Sequence, residues 1–164
     1  IMKEKITLDT LSKVMTTFVF ALLVSIAYFM IRDVSNNEIP IVAPILVVGF
    51  FVLTLGISWA YHPTSYEVTE NGLLIHRPIG ALTISKDEIV NIESIDPAKL
   101  RFGMRLFASG GFFGYFGLYS SNSIGRYIRY TGHSKNLIMI ETEKKRYVIG
   151  PDTEAFAQVV LKLG

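Results

Sequence analysis

The chain has 164 residues, half of them hydrophobic, a formal net charge of +2 and no cysteine. Without cysteine there is no disulfide framework, thiolate metal site or cysteine nucleophile. The small basic excess forms no concentrated patch, which argues against nucleic acid as a partner.

Hydrophobicity is concentrated in residues 14–61, and residues 62–164 read as one soluble domain long enough to bury a core. Val14–Ile31 and Ile41–Tyr61 run 18 and 21 residues without a charge. As helices they reach roughly 27 and 31 Å, close to the hydrocarbon thickness of a bilayer. Lipid offers no partners for backbone N–H and C=O groups, so both are expected to be helical. Pro40 and Pro44 fall in the first turns of the second run, where a missing N–H costs least. Trp59 and Tyr61 close it as interface anchors.

Two other readings compete. A cleaved signal peptide lacks its small-x-small site here, because Tyr28, Phe29 and Met30 fill the end of the first run. Buried core helices of this length are seldom apolar all round. The segment RDVSNNEIP between the runs is short, so residues 1–61 are expected to form an antiparallel transmembrane hairpin with its N-terminal flank. Neither run holds an acidic, basic or histidine residue, which favours an anchor over a transporter, proton relay or channel. Gly49 and Gly56 share one helix face, where small residues permit close helix approach. Glycine is also simply frequent in such helices. Lys3, Lys5 and Lys13 precede the hairpin, and its loop holds only Arg32 among basic residues. The positive-inside rule therefore puts both termini in the cytoplasm.

In the soluble part, Ser65–Val68 and Leu73–Arg77 alternate apolar and polar residues around Thr69-Glu70-Asn71-Gly72, where Asn-Gly suits a tight hairpin. Ala81–Ser85, Ile89–Ile95, Arg126–Tyr130, Asn136–Glu141 and Arg146–Ile149 bring the expected strands to about seven. Asp152 then reads as the N-cap of a helix, with Glu154 favourable in its first turn. Phe156, Val159, Val160 and Leu163 form its apolar stripe. The expected class is α+β: a strongly bent sheet or partly open barrel plugged by the C-terminal helix.

The order YEVTENGLLIHRP, ISKDEIVNIE, RFGMRLFASGGFFGYFGLYSSNSIGRYIRY and NLIMIETEKKRYVIGPDTEAFAQVV resembles the bacterial pleckstrin-homology-like (PH-like) domain family. It is similar in particular to a membrane-anchored branch with two N-terminal helices. The resemblance covers roughly residues 62–163. It implies a seven-stranded PH-like barrel with a C-terminal helix, and no catalytic residues.

The strongest local feature is Ala108–Ser120, in which Gly110, Gly111, Gly114 and Gly117 interleave with Phe112, Phe113, Tyr115, Phe116 and Tyr119. It lacks the Lys-Ser/Thr ending of a phosphate loop and the strand–helix setting of a dinucleotide fingerprint. Two readings stay open. The glycines shape a bend while the aromatics fill the core. Alternatively, the aromatics meet the membrane or a partner, with Arg101, Arg105 and Arg126 flanking them to meet phosphates or acidic groups. Both can hold together, since alternate strand residues face opposite sides.

Phosphoinositide recognition is not expected, because the first hairpin turn carries no Lys or Arg to meet several phosphates. His62, His76 and His133 belong to no catalytic or metal motif, so neither an enzyme nor a cofactor is expected. Lys144-Lys145-Arg146, the densest basic run, reads as a solvated hairpin turn or a contact with an anionic leaflet. The expected function is a protein-interaction or scaffolding subunit at the cytoplasmic face of a bacterial inner membrane. It would contact other membrane proteins or copies of itself through a strand edge or the aromatic segment. The alternative is a membrane sensor whose domain binds a lipid or small ligand.

Overall fold

The computed structural model describes residues 2–36, 38–100 and 104–164. A strand, β1 (Met2–Lys5), precedes two long helices, α1 (Thr10–Ser35) and α2 (Val42–Tyr61). Helix α1 begins a turn before its apolar run because Asp9 caps it. The Asp9 carboxylate accepts a hydrogen bond from Ser12 N at 2.7 Å, satisfying an amide that a helix start leaves unpaired. Both helices are long and apolar enough to span a bilayer, and neither apolar window is buried within the chain. Phe18, Val24, Ile31, Leu46 and Phe50 are 61–69 % exposed, whereas the core helix of a water-soluble protein would hide such residues. Gly49 and Gly56 do not serve the α1–α2 contact: a Cβ at either would meet nothing within 4 Å.

Only His62, Pro63 and Thr64 separate α2 from β2 (Ser65–Thr69). Then follow β3 (Gly72–His76), β4 (Ala81–Ser85), β5 (Ile89–Ser94), β6 (Met104–Gly111), β7 (Gly114–Ser121), β8 (Gly125–Thr131), β9 (Ile138–Thr142), β10 (Arg146–Ile149) and helix α3 (Glu154–Leu161). One sheet has the order β1-β2-β3-β4 and is antiparallel throughout. The second has the order β5-β9-β10-β8-β7-β6, with β8 and β10 parallel. Among the described residues the two sheets share no hydrogen-bonded strand pair, so with α3 they form an open α+β sandwich and not a closed barrel.

All seven expected strands are present, and β1, β6 and β7 are additional. Strand β1 has no apolar alternation to announce it: Met-Lys-Glu-Lys is mostly exposed and is held by backbone pairing with β2. Because β1 and β2 lie on either side of the hairpin in sequence, the segments before α1 and after α2 meet in one sheet. The first turn also differs from expectation. Thr69 pairs with Gly72, so Glu70 and Asn71 form the loop. Gly72 has φ 137, and a Cβ there would overlap the Ile84 carbonyl oxygen. Glycine is therefore needed for close approach to β4 and not at the centre of the turn.

The main core lies between the sheets. Tyr66, Leu73, Ile75, Ile84, Ile138, Ile140, Ile149, Phe156 and Val160 are buried there, so α3 packs its stripe inward as expected. A second cluster covers the opposite face of the six-stranded sheet, with Tyr119, Tyr127, Met139 and Val148 under Ile95 and Leu100. Tyr66 clamps the sheets together. Its hydroxyl donates to Tyr130 O and accepts from Gly150 N at 3.2 Å. Tyr66→Phe keeps the ring but orphans a buried amide and a carbonyl. Its expected cost is about 2–3 kcal/mol, readable by thermal or denaturant unfolding.

Candidate functional site

The N-terminal arm is built into the domain. Ile6 N donates to Thr64 O and Asp9 N donates to Gly132 O, both at 3.0 Å. Asp152 does not cap α3. Its carboxylate accepts from Thr7 N and Thr7 Oγ1, each at 2.9 Å, and lies 2.6 Å from His133 Nε2. The cap is Thr153, whose hydroxyl accepts from Phe156 N at 3.3 Å. Glu4 on β1 in turn accepts from Asp152 N at 3.0 Å and Thr153 N at 2.9 Å. Strand pairing with β2, the Asp9 amide, and the carboxylates of Glu4 and Asp152 thus lock the arm to β2, the Gly132 turn and the start of α3.

The Gly–aromatic segment is the β6–β7 hairpin, and its tip sits on α1. Gly111 pairs with Gly114, so Phe112 and Phe113 form the tip. Phe113 has φ 55, a left-handed conformation that a bulky residue rarely adopts. Contacts hold it there. Its N–H donates to Thr16 Oγ1 at 3.2 Å, and its ring meets Phe20 edge-on at 6.3 Å and stacks on His62 at 5.5 Å. Phe112 lies 6.2 Å from Phe20 and 4.4 Å from Phe113, ring centre to ring centre. A second contact reaches α2: Ile79 N donates to Ala60 O at 3.2 Å, and Arg77 lies 5.3 Å above the Tyr61 ring. The domain therefore abuts both helices near the aromatic residues that close α2.

The other expected contact residues divide among three settings. Phe116 and Tyr119 are buried, in line with the internal-packing reading. Tyr115 is half-buried; its hydroxyl donates to Asp9 Oδ2 at 3.3 Å and its ring lies under the Arg129 guanidinium at 4.5 Å. Arg105 is exposed and lies across Gly110, where a Cβ would overlap its guanidinium. Arg126 is exposed at the start of β8, opposite Ser120. Arg101 lies outside the described residues. Of the glycines, Gly111, Gly114 and Gly117 have φ of 100–115, so the segment bends where only glycine bends without strain.

Beyond the tip, β6 is one edge of the six-stranded sheet among the described residues and is strongly apolar. Met104, Leu106 and Phe107 are 69, 44 and 86 % exposed. The β6–β7 register shifts between Arg105 and Phe107, a bulge of the kind that alters how an edge strand presents its side chains. Sequence reasoning missed this edge, because Met104-Arg-Leu-Phe107 lacks strict alternation. It also missed Arg129, which is 7 % exposed. The signal for Arg129 was in RYIRY, where a charge two residues from Tyr127 shares that tyrosine's face. Among the described residues no group of three His, Asp or Glu side chains is placed to hold a metal ion.

Burial raises the phenol pKa of Tyr115, Tyr119, Tyr127 and Tyr147, that of Tyr119 to about 12, and raises Tyr66 further. A pKa raised in the folded state means that the neutral phenol supports the fold. That support is intact below the ordinary tyrosine value and is lost as pH rises through the raised ones. Alkaline unfolding is therefore expected between about pH 10 and 12, with tyrosinate absorbance and loss of the circular-dichroism signal rising together.

Residues 64–163 match the family model described as Bacterial PH domain. No curated protein and no solved structure matches the chain at significant similarity.

Proposed function

The chain belongs to the bacterial PH domain family, and from that premise we propose that it is a membrane-anchored interaction subunit. In this reading α1 and α2 form a transmembrane hairpin. The domain is held at the cytoplasmic face of a bacterial inner membrane and grips a neighbouring membrane protein or a second copy of the chain. The role is binding and not catalysis. Lys3, Lys5 and Lys13 on the domain side of the hairpin, against Arg32 alone in its loop, support the cytoplasmic placement.

The observation that carries the proposal is the β6 edge. Among the described residues no strand pairs with its outer side, beside exposed Met104, Leu106 and Phe107, the combination that strand addition uses. Phe107 lies four residues from Gly111, about 13 Å along the strand from the tip seated on α1. A lone edge of this kind invites aggregation unless something covers it. The test places a photo-crosslinking amino acid at Phe107 in intact membranes. A discrete protein adduct, lost in a Leu106→Asp background, supports the proposal. Adducts to lipid alone, or none, would refute it.

A further inference from the structure

The outer face of the six-stranded sheet holds a cavity of about 460 Å3 between β7, β8 and the turn Pro97–Leu100. This volume is in the range of small-molecule sites. Arg129 stands in its wall and is almost wholly buried. Its Nε donates to Thr131 Oγ1 at 2.8 Å, and its Nη2 donates to Ser134 Oγ at 2.7 Å and His133 O at 3.2 Å. All three acceptors are neutral. No carboxylate pairs with Arg129, and Nη1 has no hydrogen-bond partner, among the described residues.

A guanidinium cannot shed its proton to escape burial, and a buried charge without a counter-charge is costly. Yet the fold positions this one with care. Gly117 stands directly opposite Arg129 across β7–β8, between Tyr115 and Tyr119 on the same face. A Cβ at Gly117 would overlap Phe107 O and Ala108 of β6, so glycine here lets β6 close on β7, and the Arg129 guanidinium lies 4.5 Å over the neighbouring Tyr115 ring. Arg105 lines the same cavity, and Gly110 lets it lie flat across β6. Tyr119 and Tyr127, stacked at 5.6 Å, line it as well. Two guanidiniums and a serine hydroxyl supply the donors, since Tyr115 and Tyr119 give their phenol protons to Asp9 and to Ser109 O, and no carboxylate lines the cavity.

We infer that this cavity binds a phosphate group, with Arg129 as its buried anchor and Arg105 as its mobile second cation. The planar fork of arginine matches phosphate oxygens, and the tyrosine walls leave space for whatever carries the phosphate. The site is on the opposite sheet face from the main core and apart from the Thr69–Gly72 turn. Its anchor, Arg129 on β8, lies two strands from the β6 edge. The phosphate could be that of a soluble ligand or of a lipid headgroup.

The test uses the full chain in dodecyl maltoside micelles, which carry no phosphate. In one arm it is titrated with sodium phosphate against sodium chloride of matched ionic strength. In the other it is given phosphatidylglycerol in mixed micelles, without free phosphate. The thermal midpoint is read in both. A rise in the first arm identifies a soluble phosphate, and a rise confined to the second identifies the headgroup. Ala98 lines the cavity mouth and is exposed, so Ala98→Glu offers Arg129 an internal carboxylate without disturbing the core. It is expected to weaken the response at least about tenfold while remaining folded. Arg129→Gln is expected to abolish it, and Ala98→Glu decides the matter if Arg129→Gln does not fold. Absence of a rise in both arms, or an undiminished response in Ala98→Glu, would overturn the inference.

Discussion

Gly132→Ala is expected to strip the N-terminal arm from the domain and to destabilise it by about 3 kcal/mol, or roughly 10 °C in thermal midpoint. A Cβ at Gly132 would overlap the Thr7 carbonyl oxygen and press on Ile6 Cγ2 and the Thr7 carbonyl carbon. Two of these three atoms are backbone, so no rotamer change relieves the clash. Moving the arm away sacrifices the Asp9–Gly132 amide bond, the Thr7 hydrogen bonds to Asp152 and the bonds of Glu4 to the start of α3. The Thr7–Asp152 bonds and the Glu4–Thr153 bond are exposed and are exchanged for bonds to water on release, so their loss adds little to an overpacking cost of about 1–3 kcal/mol. The arm also carries the Asp9 cap of α1, so the helix start is expected to fray. Limited proteolysis should cut residues 2–9 in the variant and spare them in the parent. Equal protection in both would show that the arm is not docked.

The paired change Phe112→Ser and Phe113→Ser is expected to leave the domain folded while freeing it from α1. Neither ring belongs to the buried clusters of the sandwich. Their contacts run instead to Phe20 and His62. Losing two aromatic contacts and their buried area is worth about 3 kcal/mol of docking, or an equilibrium shift of roughly 100-fold. Part of this is returned, because serine at position 113 tolerates φ 55 better than phenylalanine does. The thermal midpoint should move little, while protease access to the tip should rise sharply. A collapse of the midpoint instead would place the tip within the folding core.

These two expectations rest on features of unequal visibility in the sequence. The helices were legible because 18 and 21 uncharged residues have no alternative partner for their backbone in lipid. Helix α3 and most strands were legible from period alone, with Phe156 and Val160 buried as their spacing required. Strand β1 was not, since Met2–Lys5 is held by register against β2 and buries almost nothing. Asp152 was legible as a residue of cap type, but it turns to Thr7 and His133, contacts that no local pattern announces, and Thr153 caps α3 instead. The Asp9 cap of α1 went unread, because it lies outside the apolar run that marks the helix. In the Gly–aromatic segment the division of labour was hidden by composition. Phe112, Phe113 and Phe116 look alike in sequence, yet two meet α1 and one is buried. Position within a hairpin decides that, and the hairpin depends on glycines whose positive φ cannot be read from residue type alone. Arg129 was hidden because its significance lies in what it does not pair with.

The Gly–aromatic tip seats the domain directly on α1. The chain has no cysteine, so an introduced pair reports without background. An ideal Cβ at Gly111 lies 3.9 Å from Met15 Cβ, within the separation a disulfide spans. Met15→Cys with Gly111→Cys, oxidised in native membranes, is the direct measurement. The Gly111→Cys single variant serves as the folding control, since φ 114 strains any side chain there. Rapid, near-complete crosslinking, abolished when Phe112 and Phe113 are both serine, is the predicted result. A folded double-cysteine protein that stays reduced would contradict the docking of the tip on α1.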